Sequence, residues 1–202
     1  MTQLGLFDAP LSLIEGERGS VTYRSGFLLA SQADAYFSAL RDGVDWHAQR
    51  RVMYEREVDV PRLTAHFRLD GTAASPADGI AIEAWGILRD VAACVAEGVD
   101  APFNSVGLNF YRDGNDSVAP HNDRVQELVA NEPIALLSLG ATRRMLIRSK
   151  HAGERAVPID LAAGSLLVMN YTSQFHYTHG VAKTRMPVGP RISVALRVRP
   201  EL

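Results

Sequence analysis

A histidine and an aspartate separated by one residue, His121 and Asp123, form a pair whose types and spacing suit metal binding. In an extended segment, residues two apart project to the same side of the backbone, so both side chains can reach one ion. A second imidazole must come from elsewhere, and the segment FHYTHGV offers His176 and His179. Non-heme Fe(II) oxygenases bind their metal ion through two imidazoles and one carboxylate, which leave other coordination positions of the ion open. The sequence therefore predicts an iron site open to a co-substrate and O2, the alternative being a structural His–Asp pair.

Two arginines near the C-terminus, Arg191 and Arg197, stand six residues apart in the segment RISVALR. Because side chains alternate along a strand, both point to the same face of the predicted sheet. A buried arginine needs a negatively charged partner, since an unpaired buried charge is costly. That partner is either a protein carboxylate or a dicarboxylate ligand. Asn109 and Tyr111 in GLNFY also share a face, which suits either ligand recognition within an apolar shell or a structural role.

Short apolar segments follow one another after Gly98, and they are the elements that would position these side chains. Each segment has the length of a strand, and turn-rich groups such as RDGND, KHAGE and AAG separate them. Half a dozen or more short strands in about 100 residues indicate a β-sandwich or jelly roll. We therefore predict a mainly β protein with flanking helices (α+β), whose jelly-roll core spans residues 100–200. The segments are SVGLNFY, PIALLSLG, RMLIRS, AVPIDL, GSLLVMN, FHYTHGV and RISVALRVR.

Two helices are predicted in the N-terminal half of the chain. Residues 31–41 begin with Ser31 as a capping residue and place Tyr36, Phe37 and Leu40 on one face. Residues 80–97 carry six apolar side chains at helical spacing, which predicts that this second helix packs against the sheet. The six are Ala84, Trp85, Leu88, Val91, Ala92 and Val95.

The rest of the N-terminal half is predicted to be irregular or paired in a hairpin. Residues 1–20 mix Gly, Ser, Pro and charged residues, which indicates a loosely held segment. Residues 50–70 are polar and contain Pro61, so a strand or hairpin with an exposed tip is favoured over a helix. The stretch GTAASPADG at 71–79 is predicted to be a flexible connection. All 202 residues are expected to form a single domain, since domains usually have about 100–200 residues.

The composition excludes several classes of protein. The single cysteine, Cys94, rules out a disulfide framework and a thiolate metal cluster. No apolar run approaches the ~18 residues of a membrane span, and the N-terminus lacks a signal-peptide pattern, so we expect a monomeric cytoplasmic protein with no membrane partner. The net charge of −2 argues against a general nucleic-acid binder. Residues 101–202 nevertheless carry 12 basic against 8 acidic side chains.

The order of these parts resembles the AlkB family of Fe(II)- and 2-oxoglutarate-dependent dioxygenases. Asn-x-Tyr, Arg-Asp-Gly, His-x-Asp, PIALLSLG, GSLLVMN, a histidine before glycine and a closing Arg…Arg strand follow one another as they do in the family. The resemblance covers residues 50–200 and is densest from 106 to 199. It is closest to the branch that repairs double-stranded DNA in animals and to its bacterial counterparts.

The resemblance implies a double-stranded β-helix fold and the oxidative demethylation of N-alkylated DNA bases, of the 1-methyladenine and 3-methylcytosine type, with Fe(II), 2-oxoglutarate and O2. It assigns His121, Asp123 and His179 as iron ligands and therefore as the catalytic residues. His179 rather than His176 matches the third ligand, since it stands just before Gly180. The residues it implies for 2-oxoglutarate binding are Asn109, Tyr111, Arg191, Ser193 and Arg197.

The resemblance also indicates residues at the substrate end. Met53 and Tyr54 match by position a wedge that fills the gap left by a flipped base, the alternative being ordinary strand residues. His66 or Phe67 would stack on that base together with His121. A basic sheet edge suits phosphates, although a charged edge also guards against aggregation. The remaining candidates are Pro61 and Arg62, in a lid over residues 50–79, and Arg143, Arg144, Arg148 and Lys150 at the basic edge.

Three features depart from the pattern of the family. Ser193 stands where the closing strand usually has asparagine, and Val125 stands where close relatives have an acid, with Glu127 the nearest one. The segment GTAASPADG replaces an aromatic Tyr-x-Tyr/Phe-Ser-Gly segment. Two alternatives therefore stay open: the same chemistry on methylated RNA, tRNA or a protein side chain, and a binding module that keeps only the jelly-roll shape.

Overall fold

The computed structural model describes residues 9–53, 56–69 and 78–201, with the backbone alone for residues 49–53 and 56–59. Strands dominate these ranges and are joined by helices α1 (Ala30–Gly43), α2 (Ile82–Val99) and the short α3 (Ser173–His176). A 3-10 turn spans Val125–Glu127. The strands are β1 (Leu11–Ile14), β2 (Val21–Arg24), β3 (His47–Met53), β4 (Arg56–Arg68), β5 (Ser105–Tyr111), β6 (Val118–His121), β7 (Ile134–Gly140), β8 (Arg143–Ser149), β9 (Val157–Leu161), β10 (Leu166–Met169), β11 (Tyr177–Val181) and β12 (Arg191–Arg197).

The strands form two antiparallel sheets. The larger sheet has the order β1-β2-β10-β7-β12-β5-β4-β3, and the smaller has the order β6-β11-β8-β9. Each of the seven apolar segments that follow Gly98 contains one strand, as the sequence predicts. The predicted class, mainly β with flanking helices, is confirmed.

Alternation along the central strands separates two apolar cores. In β12, Ile192 and Val194 pack with the residues of α1 and α2, on the outer face of the larger sheet. Ala195 instead packs with side chains of both sheets, in the core between them. Arg191 and Arg197 stand at the positions that alternate with the helix-facing residues. They therefore share the inward face, which is what their spacing predicts.

Helix α2 buries the six apolar residues that the spacing predicts. It ends at Asp100, which adopts the left-handed conformation with a φ of 56° and donates its backbone N–H to the Ala96 carbonyl at 2.8 Å. None of the helices in the described ranges is both long and apolar enough to cross a membrane.

Helix α1 begins differently from the prediction, because Ser31 is not its cap. Leu29 occupies the cap position without a side-chain hydrogen bond, and Ser31 is exposed within the first turn. The chain entering the helix is fixed from elsewhere in the fold, since the Leu28 N–H donates to the Gly164 carbonyl at 2.9 Å. A tertiary contact therefore sets the start of this helix.

The N-terminal segment is more ordered than predicted. Within residues 1–20, Leu11–Ile14 form the edge strand β1, which pairs with β2, and β2 pairs in turn with β10. Leu13 and Ile14 pack against the core between the sheets. Pairing with distant strands orders a segment whose local composition indicates a loop.

The predicted hairpin at residues 50–70 is present as β3 and β4. Pro61 lies where the register between these strands shifts, after the pair Arg50–Asp59 and before the pair Ala48–Leu63. A proline cannot donate to the ladder, and such an irregularity is where a strand accommodates one. Most of the predicted connection GTAASPADG, residues 71–77, lies outside the described residues.

Candidate metal centre and anion pocket

Two candidate metal ligands meet on neighbouring strands of the smaller sheet. Strand β6 carries His121, strand β11 carries His179, and the two residues are directly opposite in the register. Their ring centroids are 4.5 Å apart. His176 lies at the end of α3, where its Nδ1 is 3.4 Å from the Nε2 of His151. The fold therefore pairs His121 with His179 and places His176 beside another surface histidine.

The surroundings of both imidazoles favour metal binding. His121 Nδ1 lies 2.9 Å from the Ala119 carbonyl, which can only accept, so Nδ1 donates and Nε2 is the nitrogen left for a metal ion. His179 is 5% exposed, and burial, together with the neighbouring His121, lowers its pKa to about 3. An uncharged imidazole is the form that binds a metal ion.

Asp123 is held close to these histidines as an anion. Burial by itself would raise the pKa of its carboxyl, but the Arg197 guanidinium and the two imidazoles bring it below the usual value. Arg197 donates to both carboxylate oxygens, at 2.8 Å from Nε and 3.1 Å from Nη2. The Asp123 backbone N–H donates to Gln174 Oε1 at 3.0 Å.

The three side chains fit a divalent iron ion by the chemistry of their donor atoms. The set contains two imidazoles and one carboxylate, and an ionised carboxylate offers about four lone-pair sites, of which the Arg197 fork uses two. Within the described ranges, no three metal-ligating side chains already converge on one point. The Arg197 fork orients the Asp123 carboxylate.

Arg191 is buried without an acidic partner among the described residues. It is 1% exposed, its Nη2 donates to Ser138 Oγ at 2.9 Å, and its guanidinium lies 5.2 Å from the centre of the Tyr111 ring. Its Nε and Nη1 have no hydrogen-bond partner in that part of the chain. Burial lowers the pKa of this guanidinium below its usual value. Of the two arginines on the inward face, Arg197 has a protein carboxylate, whereas Arg191 has donors free for a ligand carboxylate.

The other candidate co-substrate residues share this inward face. Asn109 and Ser193 are directly opposite each other in the pairing of β5 with β12. Tyr111 is buried and pairs with Arg191 in the same register. Asn109 Oδ1 accepts a hydrogen bond of 2.6 Å from Arg62 Nε, which links the predicted lid to this face.

A cavity of about 860 Å³ opens beside the histidine pair. Its lining includes His66, Asn109, His121, Asp123 and Arg197. Gly107 also lines it, and a Cβ there would lie 3.2 Å from Arg197 Nη1 and 3.3 Å from His66 Cδ2. None of the motifs considered in the sequence includes this glycine, although a glycine inside an apolar strand is a signal of such a close approach.

The family model of the 2OG-Fe(II) oxygenase superfamily matches residues 20–197. The chain belongs to this superfamily. The description of the superfamily names 2-oxoglutarate and Fe(II), and the relatives below include proteins named as dioxygenases. The predicted Fe(II), 2-oxoglutarate and O2 are therefore confirmed at the level of the family.

Curated relatives confirm the resemblance to the AlkB family. The chain is similar to the DNA oxidative demethylase ALKBH2 of Mus musculus, with 35% identity over 118 residues, which are 55% of this chain and 49% of that protein. It is also similar to the alpha-ketoglutarate-dependent dioxygenase alkB homolog 3 of Mus musculus, with 31% identity over 184 residues, which are 85% of this chain and 63% of that protein. The matched regions span less than two thirds of either relative.

Solved structures confirm the predicted fold of this 2OG-Fe(II) oxygenase. The structure of OsALKBH1 covers 92% of this chain and 99% of its own, with a TM-score of 0.55 and 17% identity. A prolyl hydroxylase from Trichoplax adhaerens, in complex with a hypoxia inducible factor peptide fragment, covers 89% of this chain and 83% of its own, with a TM-score of 0.62 and 12% identity. At these identities the similarity concerns the jelly-roll fold alone.

At the substrate end of this oxygenase, the structure separates His66 from Phe67. His66 lines the cavity, and burial together with Arg197, Arg199 and Arg62 lowers its pKa. Phe67 lies on the opposite face of β4, is 8% exposed, and packs edge-on against Trp85 with ring centroids 6.2 Å apart. The prediction that Phe67 stacks on a base is corrected, since alternation turns it into the helix-side core.

The basic edge also divides into structural and accessible side chains. Arg143 is 3% exposed and donates to the backbone carbonyls of Asp113, Asp116 and Ala182 at 2.8 Å, so its predicted contact with phosphate is corrected. Its position on β8 directs the side chain toward the interior, where backbone carbonyls take the place of water as hydrogen-bond acceptors. The side chains that remain at the surface differ in their partners: Arg144 pairs with Asp160, Arg148 lines the cavity, and Lys150 donates to the Gln174 carbonyl at 2.9 Å.

Two of the remaining candidates lie in β4. Pro61 and Arg62 line the cavity. Met53 ends β3, with a side chain outside the described part, and Tyr54 lies outside the described residues altogether.

Proposed function

We propose that this oxygenase removes N-linked alkyl groups from bases of the 1-methyladenine and 3-methylcytosine type in DNA, as a direct-reversal repair enzyme. The observation that carries the oxygenase chemistry of the proposal is the buried Arg191, which has free donors for a co-substrate carboxylate on the same strand face as the arginine that holds Asp123. The proposed partner is alkylated DNA. The monomeric state, the single-domain organisation and the cytoplasmic location stay predictions.

The chain's own residues have separate tasks in this proposal. His121, Asp123 and His179 hold Fe(II), which with 2-oxoglutarate and O2 supplies the oxidising chemistry. Arg191 binds the far carboxylate of 2-oxoglutarate, and a guanidinium can give one carboxylate two charge-assisted hydrogen bonds. Asn109, Tyr111 and Ser193 share the inward face of β5 and β12 with the two arginines and would contact the co-substrate there. Arg197 keeps Asp123 ionised and lies at the end of β12 nearer the metal.

The cavity supports a nucleobase as the group that is oxidised. A base inside a duplex must be flipped out before its ring atoms become reachable, and a volume of about 860 Å³ lies within the range of small-molecule pockets, about 300–1,000 Å³. His66 and His121 line it, and Arg148 on its wall can contact a backbone phosphate. The relative named DNA oxidative demethylase ALKBH2 supports DNA as the nucleic acid.

A second candidate is the same chemistry on methylated RNA, tRNA or a protein side chain. Val125 stands in the 3-10 turn where close relatives have an acid. Glu127, the nearest acid, accepts hydrogen bonds from Arg124 at 3.0 Å and Arg199 at 2.9 Å. An acid paired with two arginines is poorly placed to read the amine of a base, so this contact gives no preference for DNA over the other substrates.

A panel of methylated oligonucleotides tests the proposal. We expect loss of one methyl group from 1-methyladenine and 3-methylcytosine in DNA when Fe(II), 2-oxoglutarate and O2 are present, measured by mass spectrometry. Omitting 2-oxoglutarate is the control and should leave the DNA unchanged. Methyl loss from RNA or tRNA but not from DNA would favour the second candidate, and no loss from any nucleic acid would contradict the proposal.

The hairpin tip gives a prediction about base flipping. If Met53 and Tyr54 fill the gap in the stack, the double change Met53→Ala with Tyr54→Ala should lower activity on methylated duplex DNA about tenfold or more, since ~1.4 kcal/mol is a factor of ten. Activity on the same lesion in a single strand should fall much less, because no stack needs filling. A melting curve is the control. Equal losses on both substrates would count against the wedge.

A further inference from the structure

Asp123 is held at two points, by its carboxylate and by its backbone. Arg197 fixes the carboxylate, whereas the Asp123 N–H donates to Oε1 of Gln174 at 3.0 Å. Gln174 is 2% exposed and lies in α3. Because the Gln174 amide is buried, no water can replace its partner if the hydrogen bond is lost. The bond therefore fixes the position of the Asp123 loop relative to α3.

Gln174 also connects the two pieces of chain that carry the candidate ligands. Helix α3 runs directly into β11, so Gln174 stands five residues before His179. Asp123 follows β6, which pairs with β11 at both of its ends, Val118 with Val181 and His121 with His179, through an irregular register. Beyond the end of that pairing, Gln174 adds a side-chain hydrogen bond between the loop of Asp123 and the segment that leads to His179.

Gln174 is itself held rigidly. Its Nε2 donates to Ser173 Oγ at 3.2 Å, and Ser173 Oγ donates to the Asn170 carbonyl at 2.6 Å. Asn170 Oδ1 accepts from the backbone N–H groups of Ser173 and Ser20, both at 3.0 Å. The orientation of the amide is thereby set, with Oε1 toward Asp123.

The N-terminal segment packs against α3 at Gly19. A Cβ on Gly19 would lie 2.7 Å from the backbone of Ser173, and the φ of +123° at Gly19 is one that favours glycine. The chain there packs directly on α3, so the short helix is confined between the N-terminal turn and the Asp123 loop.

We infer that Gln174 is a positioning residue of the metal centre, which sets the place of Asp123 through its backbone N–H. The inference rests on the proposed metal assignment of His121, Asp123 and His179. Outer partners that orient metal ligands typically contribute about 10- to 100-fold in metal affinity. Gln174 touches neither the metal nor the substrate in this assignment, and its whole effect passes through Asp123.

The test uses Co(II) as the probe in the absence of O2, and it follows both the affinity by calorimetry and the visible absorption of the bound ion. Gln174→Met keeps the length of the side chain but removes the acceptor, so we expect about 10-fold weaker binding and a changed spectrum. Gln174→Glu keeps an acceptor oxygen and should restore most of the affinity. Gln126→Ala removes an exposed glutamine from the neighbouring 3-10 turn and is the matched control, which should bind like the wild type.

Other outcomes overturn the inference or the assignment beneath it. Unchanged Co(II) binding in Gln174→Met, with binding lost in His179→Ala, would overturn the role of Gln174 alone. Equal weakening in Gln174→Met and Gln174→Glu would also overturn it, since the acceptor would then not matter. Wild-type binding in His179→Ala would instead refute the proposed metal site. If Gln174→Met does not fold, Gln174→Asn, whose acceptor is one carbon too short, takes its place.

Discussion

We expect His179→Ala, His121→Ala and Asp123→Ala each to abolish methyl release. A site with two imidazoles and one carboxylate must leave positions open for 2-oxoglutarate and O2, so it has no spare protein ligand. His179 should show the largest loss of metal affinity, because burial keeps its imidazole uncharged at neutral pH and no water reaches it to replace the missing nitrogen.

The measurements for this prediction are metal content after purification and turnover on a methylated oligonucleotide. His176→Ala is the matched control, since His176 is only three residues from His179 but contacts His151 at the surface. It should keep iron and most activity. Loss of iron in His176→Ala with retention in His179→Ala would reverse the assignment of the third ligand. Melting temperatures recorded without metal separate loss of a ligand from loss of the fold.

Arg191→Lys should raise the KM for 2-oxoglutarate by about 10- to 100-fold while kcat changes little. Hydrogen bonds to charged groups contribute about 1.5–3 kcal/mol, and about 1.4 kcal/mol is a factor of ten. An ammonium ion is a point charge and cannot reproduce the two parallel donors of a guanidinium. The effect should appear in KM, because Arg191 is proposed to bind the carboxylate far from the metal.

A binding measurement without turnover checks the same role. Because 2-oxoglutarate binds the folded protein and not the unfolded chain, it should raise the melting temperature of the wild type. The rise should be much smaller in Arg191→Lys. Arg144→Lys is the control, since Arg144 forms an exposed ion pair with Asp160 and does not face the interior. An unchanged KM and an unchanged thermal shift in Arg191→Lys would return Arg191 to a purely structural role.

The sequence by itself determined the parts of the protein that follow from local periodicity. Side chains on a strand alternate strictly, so the spacing of Arg191 and Arg197 is enough to place them on one face. Helical spacing likewise identifies the six buried residues of α2. The order of short motifs was enough to predict the family and its cofactors, because those motifs carry the metal and co-substrate chemistry in sequence order.

Local patterns failed where a distant part of the chain supplies the partner. Ser31 has the type of a helix cap, but α1 is fixed by the contact between Leu28 and Gly164. Residues 1–20 have the mixed composition of a loosely held segment, yet pairing within the larger sheet makes Leu11–Ile14 a strand. Arg143 stands in a basic cluster of the sequence, and only the folded chain shows three backbone carbonyls around its guanidinium.

The tertiary structure alone decided which charges meet in the site. The sequence left open whether each of the two inward arginines pairs with a protein acid. In the fold, Arg197 pairs with Asp123, whereas Arg191 contacts no acid among the described residues. Gln174 and Asp123 are 51 residues apart, so no local pattern predicts their hydrogen bond. The periodicity of a strand fixes the face on which a side chain lies, whereas its partner across the interior depends on how the two sheets and α3 pack together.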